Sequence, residues 1–147
     1  MPSFGQWTYT VDRQATAKAY AEAEIGGADS CDCAYCRNFR VARPMVFPKP
    51  FLALLDELGI DPRKDAEVFE YCSMGPGLRH YGGWYHFIGK LEEENDLGWV
   101  ELVPGFSVGF FHDIGAPRLP IFDGAPKVQI NFQAKSVPWL LAEPEPD

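Results

Sequence analysis

The chain has 147 residues, a formal net charge of −8 and a pI near 4.8, with 46% hydrophobic, 14% aromatic and 23% charged residues. That length suits one domain able to bury a full core without disulfide staples, and so many aromatic residues exclude a disordered chain. The acidic balance repels polyanions, so nucleic acid is excluded as a partner.

No basic segment followed by an apolar one stands near Met1, so no export signal is expected. No apolar run approaches the ~20 residues of a membrane span, so no membrane partner is expected either. The expected compartment is a reducing cytosol, where thiols stay free or hold metal.

In chain order, the first predicted helix runs from Asp12 to Glu24, with Asp12 as N-cap, an Ala-rich interior and Gly26-Gly27 as terminator. A second passes through a cysteine cluster to about Ala42, where Pro44 is expected to stop it. A third begins near Pro50, repeats Phe51, Leu54, Leu55 and Leu58 on one face, and ends at Gly59. Beyond Asp61-Pro62 the pattern alternates. Glu67 to Ser73 and Trp84 to Leu91 read as strands, followed by a charged, solvated tip at Glu92-Glu93-Glu94-Asn95-Asp96. Trp99 to Leu102 and Phe106 to His112 add two short strands. In the last, Val128, Ile130, Phe132 and Ala134 face one way, and Lys127, Gln129, Asn131, Gln133 and Lys135 the other.

Helices first and strands after predict an α+β fold, its N-terminal helices packed on one face of an antiparallel sheet of about four to five strands. Residues 1–141 form the single domain, and 142–147 an acidic, proline-rich tail expected to fray.

The chemistry concentrates in Cys31-Asp32-Cys33-Ala34-Tyr35-Cys36. Crowded thiolates repel one another unless a cation or oxidation holds them, and Zn²⁺ does so at about 2.3 Å per bond. Cys33 and Cys36 have knuckle spacing, and Cys31 adds a third ligand from the same turn. Cys72 is the first candidate for a fourth, with His80, His86 and His112 behind it; Cys72 reads equally well as a small core residue. The spacing matches no common iron–sulfur pattern. Arg37, Arg40 and Arg43 recur every third residue and are expected to pair with some of the 21 carboxylates.

Elsewhere, His80-Tyr81-Gly82-Gly83-Trp84-Tyr85-His86 reads as a strand entered through a bend, or as a pocket wall with His86 as ligand or base. His112-Asp113 reads as turn chemistry. There is no Gly-rich phosphate loop, no G-x-S-x-G elbow, no H-E-x-x-H helix and no calcium loop.

The run Cys31 to Phe39, with Tyr81-Gly82-Gly83-Trp84-Tyr85-His86-Phe87 and Gly89, and the ending Val137-Pro138-Trp139, resembles a family of small bacterial proteins to which no activity is attached. The resemblance implies a bacterial origin.

The sequence therefore favours a non-catalytic, zinc-stabilised domain whose Cys31, Cys33, Cys36 and Cys72 hold the metal. Its partner would be a protein or small-molecule ligand. Two other readings stay open. One is a thiol enzyme in which Cys33 and Cys36 cycle through a disulfide or one attacks an electrophile. The other is a zinc hydrolase with an open water position, which needs His86 or a carboxylate near the metal.

Overall fold

A computed structural model describes residues 2–93 and 98–146. Its elements, in order, are β1 (Ser3–Phe4), β2 (Trp7–Val11), α1 (Arg13–Glu22), α2 (Gly27–Ser30), α3 (Ala34–Val46), α4 (Lys49–Leu58), β3 (Glu67–Ser73), β4 (Leu78–Leu91), β5 (Val100–Val103), β6 (Phe106–His112) and β7 (Lys127–Pro138). The fold is α+β, but the sheet has seven antiparallel strands, more than the four or five expected. The extra strands are β1 and β2, which precede every helix. Trp7 and Tyr9 alternate inward on β2, a five-residue run too short to stand out by pattern alone.

Strand order is β1-β2-β4-β7-β6-β5, with β3 also on β4. One edge of β4 is paired with β7 from Leu78 to Ile88, while the other is shared by β3 at its start and β2 at its end. Helix α1 plugs the gap between them. The Tyr20 hydroxyl donates to the His86 carbonyl at 2.7 Å and accepts from the His86 N–H at 3.1 Å. Thr16 Oγ1 accepts from the Ile88 N–H at 3.0 Å, and the Asp12 N–H donates to the Ile88 carbonyl at 2.8 Å. Backbone groups that would be orphaned inside the protein are thus satisfied by two side chains of a helix and the backbone N–H of its N-cap. Asp12 caps that helix as expected, accepting from the Ala15 N–H at 2.9 Å.

Helices α3 and α4 pack on the inner face of the sheet. Phe39, Phe47 and Phe51 meet Tyr81, Tyr85, Phe106 and Phe132 there, the Phe51 and Phe106 rings lying 4.9 Å apart. Each fully buried ring contributes about 1.5–3 kcal/mol of apolar burial. The stripe Phe51, Leu54, Leu55 and Leu58 is buried, and Gly59 closes α4 with a left-handed φ of 82°. The alternation read from β7 also holds: Val128, Ile130, Phe132 and Ala134 are buried inward.

Three expectations are corrected. Pro44 does not stop the second helix; α3 runs through it to Val46. A proline forfeits one hydrogen bond, and here the loss falls in the final turn, where the Phe47 N–H still reaches the Arg43 carbonyl at 3.2 Å. His80 to Gly83 form no bend, since β4 is continuous from Leu78. A Cβ on Gly83 would lie 2.9 Å from the Phe132 ring, and one on Gly82 2.8 Å from the Tyr71 ring, so the pair admits aromatic rings onto both faces. The tail is anchored: Glu143 pairs with Arg37, and Glu145 with Arg79 at 3.2 Å. Of the charged tip, Glu94 to Asp96 lie outside the described residues, as does Asp147 in the tail. Among the described residues no helix is long and apolar enough to cross a membrane.

Candidate metal centre

The thiols occupy the junction between α2 and α3. Cys31 follows α2 in extended conformation, and Cys33 is the N-cap of α3 with φ −68° and ψ 157°. As a serine would, Cys33 caps the helix through its side chain: Sγ accepts from the Cys36 N–H at 3.4 Å. That contact places Cys36 one turn in, on the buried side. The three sulfurs lie within 4.8 Å of one another. Tetrahedral zinc bonds of about 2.3 Å set sulfurs about 3.8 Å apart, so the trio closes on an ion without refolding the turn.

The thiols differ in surroundings. Cys36 is buried, Cys31 is half-buried and Cys33 is exposed. The Cys33 backbone N–H, and then the neighbouring thiols, hold the Cys31 thiol below its usual range. Burial, followed by those same thiols, pushes Cys36 well above it. The cluster sits at the positive end of the 13-residue α3. A buried thiol of this kind loses its proton to an arriving cation, so binding would release protons.

The arginine stripe braces the turn. Arg37 Nε donates to the Asp32 carbonyl at 2.9 Å while its guanidinium pairs with Glu143. Arg40 Nη1 donates to the carbonyls of Ala28 at 2.7 Å and Cys31 at 2.8 Å. Arg43 pairs with Asp29 at 3.2 Å and with Asp65 at 3.8 Å. Pairing with carboxylates was expected of this stripe; Arg40 goes to backbone carbonyls instead. All three lie on one face of α3, Arg37 and Arg40 tying it to the thiol turn and Arg40 and Arg43 to α2.

Beneath the turn, α2 sits against the segment before β3. Asp65 is fully buried; its Oδ2 accepts from the Ala28 N–H at 3.1 Å and its carbonyl from the Gly27 N–H at 2.8 Å. A Cβ on Gly26 would lie 2.6 Å from the Lys64 Cα, and one on Gly27 2.8 Å from the Ala66 carbonyl oxygen. The two glycines read as a helix terminator are there for close approach. On the other flank, Asn38 is fully buried, donating to the Pro138 carbonyl at 3.0 Å and accepting from the Leu140 N–H at 2.7 Å. Arg79 lies over the rings of Tyr35 and Trp139. The sequence pass missed Asn38 and Asp65, since a lone buried polar residue leaves no periodic signal.

The other candidates are not brought to the thiols. Cys72 is exposed on β3 and stands opposite His80 in register. The His80 ring lies 4.4 Å from Tyr71, on the sheet face away from α3. His86 is 1% exposed and alternates with the inward-facing Tyr85 and Phe87, so its ring points outward to Phe122. His112 contacts the Glu93 carbonyl beyond the far end of β4. Asp113 pairs with Lys127 at 3.2 Å and accepts from the Gly115 N–H, the turn chemistry expected of it.

Compared with protein-family models, curated proteins and solved structures, the chain finds no match.

Proposed function

We propose that this chain is a metal-binding domain in which the thiolates of Cys31, Cys33 and Cys36 grip one soft cation, Zn²⁺ being the expected occupant. The observation that carries it is the convergence of three sulfurs within 4.8 Å at a helix N-terminus. A soft, all-sulfur donor set suits zinc or another thiophilic ion, and disfavours magnesium or calcium. The ion's role is local. It ties α2 to α3, and through Arg37 and Asn38 to the C-terminal strap, residues 139–146, while the aromatic core holds the domain by itself. The domain acts by binding, with a protein or small molecule as partner, in a compartment reducing enough to keep the thiols free.

Native mass spectrometry with elemental analysis, on protein purified without chelators, tests this. One equivalent of metal is expected in the wild type and in Cys72→Ser, and none in Cys33→Ser or Cys36→Ser. A metal-free wild type from metal-replete cells would overturn the proposal.

A second reading draws on the same sulfur proximity and one contrast within it, half-buried Cys31 with its thiol held low beside buried Cys36 with its thiol raised. Those are the properties of an attacking and a resolving thiol, so a dithiol–disulfide cycle is the competing function. Rapid alkylation of Cys31 at neutral pH in the metal-free chain is its signature.

A further inference from the structure

We infer that the fourth coordination position of this centre takes a thiolate from a small soluble thiol. The inference rests on the metal-binding function proposed above and specifies the partner of that same site.

Among the described residues, the group of possible ligands consists of three sulfurs. Exposure fixes how they are presented: Cys36 lies on the protein side and Cys33 on the solvent side. An ion seated on them therefore turns its remaining vertex outward, past Cys33. Structural zinc sites are closed by four protein ligands, whereas a site with three keeps a position for an exchangeable one.

The surroundings select that ligand. The donor set is all sulfur, and soft ions held by thiolates prefer another thiolate to an oxygen. A divalent ion with three thiolates carries a formal charge of −1, yet the positive end of α3 faces the cluster, with the Arg40 side chain, which among the described residues bonds backbone carbonyls and no carboxylate, alongside, easing entry of a further anion. A second copy of the chain is a poor donor, because each copy carries −8. A small thiol reaches the vertex without that repulsion.

The step is a ligand substitution without redox change. The metal–oxygen bond to the water at that vertex and the S–H bond of the incoming thiol break, the water and the proton pass to solvent, and one metal–sulfur bond forms. The cation enters and leaves from the solvent side while Arg37, Arg40 and Asn38 keep the turn folded.

The test uses the full chain loaded with Co²⁺ under anaerobic conditions, titrated with a small excess of 2-mercaptoethanol or glutathione. With either thiol, the cobalt ligand-field bands should shift to longer wavelength and the sulfur-to-cobalt charge-transfer band should grow by about one third, as three sulfurs become four. Apparent Co²⁺ affinity should rise with thiol concentration, by about 100-fold at a hundred times the thiol's dissociation constant. Ethanol, the oxygen analogue, should change nothing, and Cys72→Ser should behave as wild type. A four-sulfur spectrum before any thiol is added overturns the inference, as does a Co²⁺-dependent dimer in sedimentation or a spectrum unmoved at saturating thiol. Absence of any cobalt–thiolate absorption removes the metal-binding function itself, a failure distinct from the others.

Discussion

Arg40 Nη1 donates to the Cys31 carbonyl at 2.8 Å, so the helix that presents Cys36 also fixes the turn that presents Cys31. The same nitrogen reaches the Ala28 carbonyl on α2. Two thiols far apart in backbone conformation are therefore set by a single side chain, as a metal-binding histidine is set by its hydrogen-bond partner.

Arg40→Ala should weaken cation binding by about 10- to 100-fold, the usual cost of removing a group that orients a metal ligand. The side chain is only half-buried, so the fold should survive. Competition against a chromophoric chelator measures the affinity, and circular dichroism checks folding. Affinity within about twofold of wild type in a folded variant would mean that the arginine does not position the site.

Asn38→Ala should destabilise the protein by about 1–3 kcal/mol, since it leaves the part-buried Pro138 carbonyl and Leu140 N–H without their partner. The loss should also free residues 139–146, which lean on Asn38, Arg37 and Arg79. Urea denaturation gives the first number, and limited proteolysis the second. Cleavage in the strap should appear before any cleavage in the sheet.

Most of the sheet and two helix ends were legible because they rest on local physics: a side-chain period of two in β7, an Asp N-cap on α1, a Gly C′ on α4. The thiol turn was legible for the same reason, the spacing of Cys33 and Cys36 being a property of one helical turn. What stayed hidden depends on residues distant in the chain. Gly83 makes a strand possible only because Phe132, 49 positions later, lays its ring over it. Glu143 and Glu145 read as a loose tail until Arg37 and Arg79 are known to face them. Cys72 looked available to the trio because nothing in sequence tells which face of β3 it shares with His80. Pairing across the fold, more than composition, separates these cases.

Tyr20→Phe isolates another such long-range contact. One hydroxyl satisfies both backbone groups of His86, so its removal orphans a buried donor and a buried acceptor without changing the apolar packing against Phe122. A loss of about 1–3 kcal/mol is expected, with faster amide hydrogen exchange at His86 than at Phe87. Unchanged exchange at His86 would show that β4 does not need the helix to complete its edge.

His86 and Asp65 should make opposite contributions to acid stability. Burial pushes the His86 imidazole from 6.5 down to about 4, with Lys127 and Arg118 assisting and Asp113 opposing. Burial pushes the Asp65 carboxyl from 3.8 up to about 6, beyond what the Ala28 N–H, its own backbone and Arg43 recover. As pH falls from 6.5 to 4 the unfolded chain protonates its histidine before the folded chain does, so stability is lost, by about 3 kcal/mol at 1.36 kcal/mol per unit. As pH falls from 6 to 3.8 the folded chain protonates Asp65 before the unfolded chain does, so stability is gained by about 3 kcal/mol. The two contributions nearly cancel in the wild type. They separate in the variants: relative to wild type, His86→Gln should gain stability on acidification from pH 6.5 to 4, and Asp65→Asn should lose it. Urea midpoints measured across that range decide the matter, because every other carboxylate is common to the three proteins and drops out of the differences. Parallel profiles for all three would mean that neither group carries its burial into the folding equilibrium.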